Sequence, residues 1–144
     1  MIETVARVPV SGERRMVNPL MRFLERSRKI REGTVVVSEL PWHGRRIDLV
    51  TLSPRRVASS FELKLGSVGR ALEQAIYNTL SFDHSWAVID RSPSAEMLRL
   101  AAVYGVGIIV ADRRARVILP ARQTDLDRDV REQLVAKIRR TELA

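Results

Sequence analysis

Three ionisable residues lie inside short β-branched segments that should otherwise be half buried. Asp48 stands between two apolar residues, and Glu62 and Lys64 flank Leu63. Because residues i and i+2 of a strand point to the same side of a sheet, Glu62 and Lys64 share one face. Carboxylates that converge repel one another, and a divalent cation relieves that repulsion. With a lysine beside them, such carboxylates suit metal-assisted hydrolysis of a phosphodiester.

The pairing of the first two strands decides which further groups come close. If residues 41–44 form a four-residue hairpin loop, Glu39 lies opposite Arg46, and both share a face with Asp48. A slip of one residue would separate them. If the third strand pairs with the second, Asp48, Glu62 and Lys64 converge, with Glu39 nearby.

The same pattern has a purely structural interpretation, in which Asp48 and Glu62 lie on a solvated sheet face with Lys64 as their ion-pair partner. Matches to three residues arise often by chance. Here the context favours a metal site, because Asp48 lies in one strand, E-x-K ends the next, and a helix follows directly.

Hydrophobic periodicity and turn residues predict the elements that position these side chains. Strand patterns cover residues 34–40, 45–52, 56–65, 85–89, 107–110 and 115–119. Helical patterns cover residues 67–80, 94–104 and 125–142, and a further helix begins at Asn18-Pro19 and stops by Gly33. The expected fold class is α/β (α+β), with one domain over residues 16–144 and a mixed central sheet flanked by helices. Residues 1–15 form either an N-terminal arm or an edge strand.

Composition excludes several classes of protein. The chain has 144 residues and no cysteine, which excludes disulfide scaffolds, zinc ribbons and thiol catalysis. No apolar run approaches the roughly 20 residues that span a bilayer. The N-terminus has no apolar core typical of a secretory signal, so we expect a cytoplasmic protein without membrane contact.

The charge of +8 favours a polyanionic partner such as DNA. All but three of the 25 basic residues are arginine, which biased codon usage would also explain. The aromatic content of 5% argues against a stacking platform for single strands. Arg45, Arg46 and Arg70 are the candidate DNA contacts.

Three runs of the sequence resemble the PD-(D/E)XK nuclease superfamily. They are G-R-R-I-D-L-V at 44–50, F-E-L-K at 61–64 and R-A-L-E-Q-A-I-Y-N at 70–78, within a resemblance that covers about residues 17–120. Ile47 stands where the motif has its proline, a common departure. The resemblance implies a restriction endonuclease-like core.

The same resemblance implies the roles of the central residues. Asp48 and Glu62 would hold Mg²⁺ or Mn²⁺, and Lys64 would be the catalytic lysine. Members often carry a further acidic residue upstream, and either Glu39 or Glu25 could supply it as a metal ligand.

Members also often carry a glutamine on the helix after E-x-K, where this chain has Gln74. Gln74, Tyr77 and Asn78 lie on one side of that helix, at i, i+3 and i+4. In the functional interpretation Gln74 is catalytic and Tyr77 contacts nucleic acid. In the alternative, which we favour for Asn78, this side is a partly exposed helix face with Tyr77 packed against the sheet.

The leading hypothesis is therefore a Mg²⁺-dependent DNA endonuclease or resolvase-like enzyme that acts in repair, recombination or defence. The alternative is a non-catalytic nucleic-acid-binding or assembly module with the same fold. A third hypothesis is a nuclease-like subunit that a partner protein activates or directs. Two strand cuts need two sites, which favours a homodimer, and the C-terminal helix has an apolar stripe that either a dimer or the sheet could bury.

Overall fold

The computed structural model of the protein describes residues 3–5 and 14–143. Seven strands form one mixed sheet, and neighbouring strands in the sheet are also consecutive in the chain. The strands are β1 (Glu3–Val5), β2 (Val35–Trp42), β3 (Arg45–Leu52), β4 (Ala58–Lys64), β5 (His84–Ile89), β6 (Gly107–Ala111) and β7 (Ala115–Leu119). The helices are α1 (Arg14–Arg26), α2 (Val68–Asn78), α3 (Ala95–Tyr104) and α4 (Arg128–Leu143). This arrangement confirms the predicted fold class.

Strand direction changes along the sheet. β2, β3 and β4 form an antiparallel meander, as predicted. β4, β5 and β6 are parallel, with α2 and α3 as the connections, and β7 returns antiparallel to β6. β1 pairs in parallel with β2 at the edge, so the edge-strand alternative holds for Glu3–Val5. The rest of the predicted arm up to residue 13 lies outside the described residues.

Helices cover both faces of the sheet. α1 packs on one face in a core cluster that includes Phe61 and Leu63 of β4. α2, α3 and α4 pack on the opposite face. Since side chains alternate along β4, Glu62 lies on the face that α2 covers.

The first helix differs from its prediction. It begins at Arg14, with Pro19 inside it, and ends at Arg26. The predicted start at Asn18 and stop near Gly33 are therefore wrong. Packing explains the earlier start, because Met16 lies one turn before Leu20 on the same face and both are buried in the core. Tertiary burial of this kind outweighs the local capping signal.

The β2–β3 hairpin also differs from its prediction. Trp42 pairs with Arg45, so the loop has two residues and not four. His43 and Gly44 both have positive φ, 48° and 76°, as in the tight turns that match strand twist. The register shifts by two residues, so Arg46 pairs with Pro41 and not with Glu39, and Glu39 and Asp48 both fall between the pairs Ser38–Leu49 and Leu40–Ile47.

The C-terminal helix α4 buries its apolar stripe against the sheet. Leu134, Val135 and Ile138 lie in one core cluster with residues of β2 and β3. Packing on the sheet therefore accounts for the stripe. None of the helices among the described residues combines the length and apolar character needed to cross a membrane.

An ion pair with a buried carboxylate anchors α4 next to the sheet. Asp83 is fully buried, and Arg131 Nη2 lies 2.6 Å from its Oδ1. We expect Arg131→Ala to lower the free energy of unfolding by about 3 kcal/mol, because it leaves a buried carboxylate without its cation. Urea denaturation would measure the loss. Arg139→Ala, an exposed position on the same helix, should change stability by less than about 0.5 kcal/mol. Equal effects of both substitutions would contradict the anchoring role.

Candidate metal and nucleic-acid site

The site forms where β3 and β4 separate. Their pairing ends with Leu49 and Phe61, and the next residues in that register are Asp48 and Glu62. Instead of a ladder bond, the backbone N–H of Leu63 donates to Asp48 Oδ2 at 2.8 Å. The two predicted carboxylates therefore lie next to each other where the pairing of β3 and β4 ends.

Glu62 is a carboxylate with no solvent exposure. Its Oε2 accepts a hydrogen bond from Asn78 Nδ2 at 2.8 Å. Its buried Oε1 accepts none from any residue in the described part of the chain. Burial, and next the negative charge of Asp48, raise the pKa of Glu62 to about 7, although Asn78 and Arg45 act in the opposite direction.

Arg45 occupies the centre of the polar network. Its Nη1 donates to Asn78 Oδ1 at 3.1 Å, and its Nη2 donates to the backbone carbonyl of Gln74 at 3.4 Å. The same Nη2 lies 3.6 Å from Glu62 Oε2. The guanidinium also lies over the Tyr77 ring, 5.1 Å from its centroid. Arg45, predicted as a DNA contact, therefore has a structural role in holding Glu62.

Lys64 ends β4 two residues after Glu62 and is half-buried. Along the sheet it pairs with Ile89 of β5. No ion pair joins Lys64 to Glu62, both of which the structure describes. The ion-pair role that the structural interpretation gave Lys64 is thus filled at Glu62 by Arg45.

The remaining predicted residues lie around this centre. Glu39 falls between the same two register pairs as Asp48, but no three His, Cys, Asp or Glu side chains of the described residues group to hold a metal ion. Neither Glu39 nor Glu25 therefore completes a three-carboxylate site with Asp48 and Glu62. The candidate DNA contacts Arg46 and Arg70 are exposed, and Gln74 contributes its carbonyl to Arg45.

Asn78 is the residue that sequence reasoning missed. The favoured interpretation placed it on a partly exposed helix face, but it is only 2% exposed and hydrogen-bonds both Glu62 and Arg45. Tyr77, expected to pack on the sheet in that alternative, is 62% exposed. The signal available in the sequence was the position of Asn78, an amide side chain one helical turn after Gln74 and therefore on the same side of the helix.

Two carboxylates of this kind fit a magnesium site. Mg²⁺ is bound through one or two carboxylates, with substrate phosphates and water completing its shell. The Glu62 Oε1 atom is buried without a hydrogen-bond donor among the described residues, and Asp48 adds a second carboxylate beside it. A divalent cation would supply the charge that this pair lacks.

Comparison with known proteins shows the fold alone. No family model matches the chain, and no curated protein matches it. The solved structure of the SPO1766 protein of unknown function from Silicibacter pomeroyi is similar, with a TM-score of 0.69 and 22% sequence identity. The similarity covers 91% of this chain and 86% of that chain. It supports the α/β (α+β) architecture described above.

Proposed function

We propose that this protein is a Mg²⁺-dependent nuclease that hydrolyses DNA phosphodiester bonds, with the active site at Asp48 and Glu62. The observation that supports it most is the buried Glu62 carboxylate, which has a raised pKa beside a second carboxylate. Burying a carboxylate next to a second negative charge is unfavourable for folding. Such groups with perturbed pKa values are concentrated at functional sites.

In this proposal each residue has a defined task. Asp48 and Glu62 hold the cation, which when bound polarises the phosphate. Asn78 and Arg45 fix the Glu62 carboxylate in one orientation through the contacts described above. Lys64 orients or deprotonates the attacking water and offsets charge that develops on the phosphate.

DNA is the proposed substrate because of charge. The chain carries a formal charge of +8. Arg46 and Lys137 line one cleft next to Arg45, so cations extend from the site across the surface. Phosphate neutralisation by such cations supplies most of the non-specific affinity for DNA. A cytoplasmic location belongs to the same proposal.

A cleavage panel tests this proposal directly. The substrates are supercoiled plasmid, linear duplex, single strand, a flap and a four-way junction, each with Mg²⁺, Mn²⁺ or EDTA. We expect cleavage in either metal, none in EDTA, and a loss of at least about 10²-fold in Asp48→Asn. Asp48→Asn retains a carbonyl oxygen that can accept the Leu63 N–H, whereas Asp48→Ala also removes that hydrogen bond.

The matched control is Glu73→Gln, an exposed glutamate on α2. It removes the same charge from a residue outside the proposed site and should cleave like the wild-type protein. Cleavage that persists in EDTA, or that is equally fast in Asp48→Asn and wild type, would overturn the proposal.

One observation favours the second candidate function, a non-catalytic DNA-binding module. Arg45 already supplies a positive charge 3.6 Å from Glu62, so the carboxylate pair can persist without a metal. In this case DNA binding should persist in EDTA and fall with increasing salt, with no cleavage of any substrate in the panel.

A further inference from the structure

The tip of the β2–β3 hairpin presents a pair of stacked rings beside the site. The Trp42 and His43 rings lie 4.2 Å apart between centroids, at 15° between planes. Trp42 Nε1 donates to Ser81 Oγ at 3.0 Å, which fixes the indole. His43 is exposed and has a φ of 48°, a conformation that non-glycine residues seldom adopt. The turn thus holds an aromatic ring out at the surface.

Tyr77 extends this aromatic surface on the α2 side. Its ring is 62% exposed and stacks with Arg45. The chain contains only seven Phe, Trp and Tyr residues, and two of them lie with His43 around Arg45. We call Trp42, His43 and Tyr77 the hairpin platform. Two of these seven residues therefore lie around Arg45, which contacts Glu62.

A cleft of about 510 Å³ lies between the hairpin tip and α4. Its charged lining residues are Arg45, Arg46 and Lys137, and none of its lining residues in the described part is acidic. Trp42 and His43 line the same cleft. Apolar rings bordered by cations complement a nucleotide, which has a planar base and an anionic phosphate.

We infer that the hairpin platform binds an unpaired nucleotide, so that the substrate is DNA with a single-stranded segment next to the cleaved bond. This inference rests on the proposed nuclease function. A base within a duplex already stacks on both faces, and only an unpaired base can offer a face to these rings. Because Arg45 contacts both Tyr77 and Glu62, a base on the platform places its neighbouring phosphates close to the carboxylates.

Binding without metal tests this inference separately from cleavage. Fluorescence anisotropy in EDTA compares a labelled oligothymidylate, a blunt duplex of equal length, and that duplex with a single-stranded tail. We expect the wild-type protein to favour the oligothymidylate and the tailed duplex. His43→Asn and Tyr77→Ala should each weaken binding of these two probes by about tenfold, with little change for the blunt duplex.

The variants are chosen so that folding is retained. Asparagine tolerates positive φ, so His43→Asn removes the ring while it keeps the turn. Tyr77 is mostly exposed, and Tyr104→Ala, at a tyrosine that is 50% exposed on α3, is the matched control. Tyr104→Ala should bind all three probes like the wild-type protein.

Two results would overturn the inference. One is binding of the blunt duplex at least as tight as binding of the oligothymidylate. The other is single-strand affinity in His43→Asn and Tyr77→Ala equal to that in Tyr104→Ala. If metal-dependent cleavage is observed together with either result, the nuclease proposal stands and the platform fails. If the platform variants lose single-strand binding but no substrate is cleaved, the nuclease proposal fails instead.

Discussion

The Lys64→Ala protein is expected to cleave DNA in Mg²⁺ at least about 10²-fold more slowly than the wild-type protein. Lys64 lies two residues after Glu62 on β4, and no ion pair between these two described residues engages its amine. Arg45 instead provides the positive charge at Glu62. In the proposed mechanism, the charge of Lys64 is the one that acts on water and phosphate.

Single-turnover rates with saturating protein measure this effect without a contribution from binding. DNA affinity in EDTA should change by less than about threefold in Lys64→Ala, since one cation among many contributes little to non-specific affinity. Lys29→Ala is the matched control. Lys29 lies over the Trp86 ring in the core cluster beneath α1, on the face of the sheet opposite to Glu62. A Lys64→Ala protein that cleaves as fast as Lys29→Ala would exclude a catalytic role for Lys64.

The sequence predicted the centre of the site because its geometry is local. A strand alternates in direction with a period of two, so an acidic residue inside an apolar run marks a polar point in the sheet. Glu62 follows this pattern, and Asp48 stands between two apolar residues in the same way in the sequence, although β3 does not alternate regularly there. The predicted meander of three antiparallel strands then placed Asp48 and Glu62 on neighbouring strands. The comparisons leave the metal and the activity as predictions.

The details around this centre depend on backbone geometry that no periodic pattern contains. Val37 and Leu40 pack in the same core cluster despite their odd spacing, because Glu39 between them has a positive φ of 54°. Ile47 and Val50 show the same odd spacing on β3. The side chains of β2 and β3 therefore do not alternate regularly between the two faces near Glu39 and Asp48. The prediction that Glu39 shares a face with the carboxylates assumed regular alternation along β2.

The contacts of Arg45 and Asn78 were missed for a different reason. Both are polar, and in a sequence polar residues at a strand end or a helix end resemble solvated positions. Their burial follows from the way α2 packs on β4, which brings Asn78 to Glu62. Buried polar groups are satisfied in pairs, so Glu62 can be buried only where such partners exist. The burial of Glu62 therefore depends on the hydrogen bond from Asn78 and on the charge of Arg45.

Glu62→Gln is expected to remove catalysis and yet to stabilise the metal-free protein at high pH. A carboxyl group with a pKa of 4.5 in the unfolded chain and about 7 in the folded protein binds more protons in the folded state between these values. The free energy of unfolding of the wild-type protein therefore falls as the pH rises across this window, by about 3 kcal/mol from this group. Glutamine carries no charge and lacks this loss.

Urea denaturation in EDTA at several pH values from 4.5 to 8 would measure the effect. The stability of Glu62→Gln relative to wild type should rise by about 3 kcal/mol over this range, and level off above pH 7. Because the substitution also relieves Asp48 of a neighbouring charge, the difference reports the carboxylate pair. Glu73→Gln, at an exposed position, should follow the wild-type curve. Parallel curves for Glu62→Gln and wild type would show that burial of Glu62 does not oppose its ionisation, and would contradict a strained carboxylate pair.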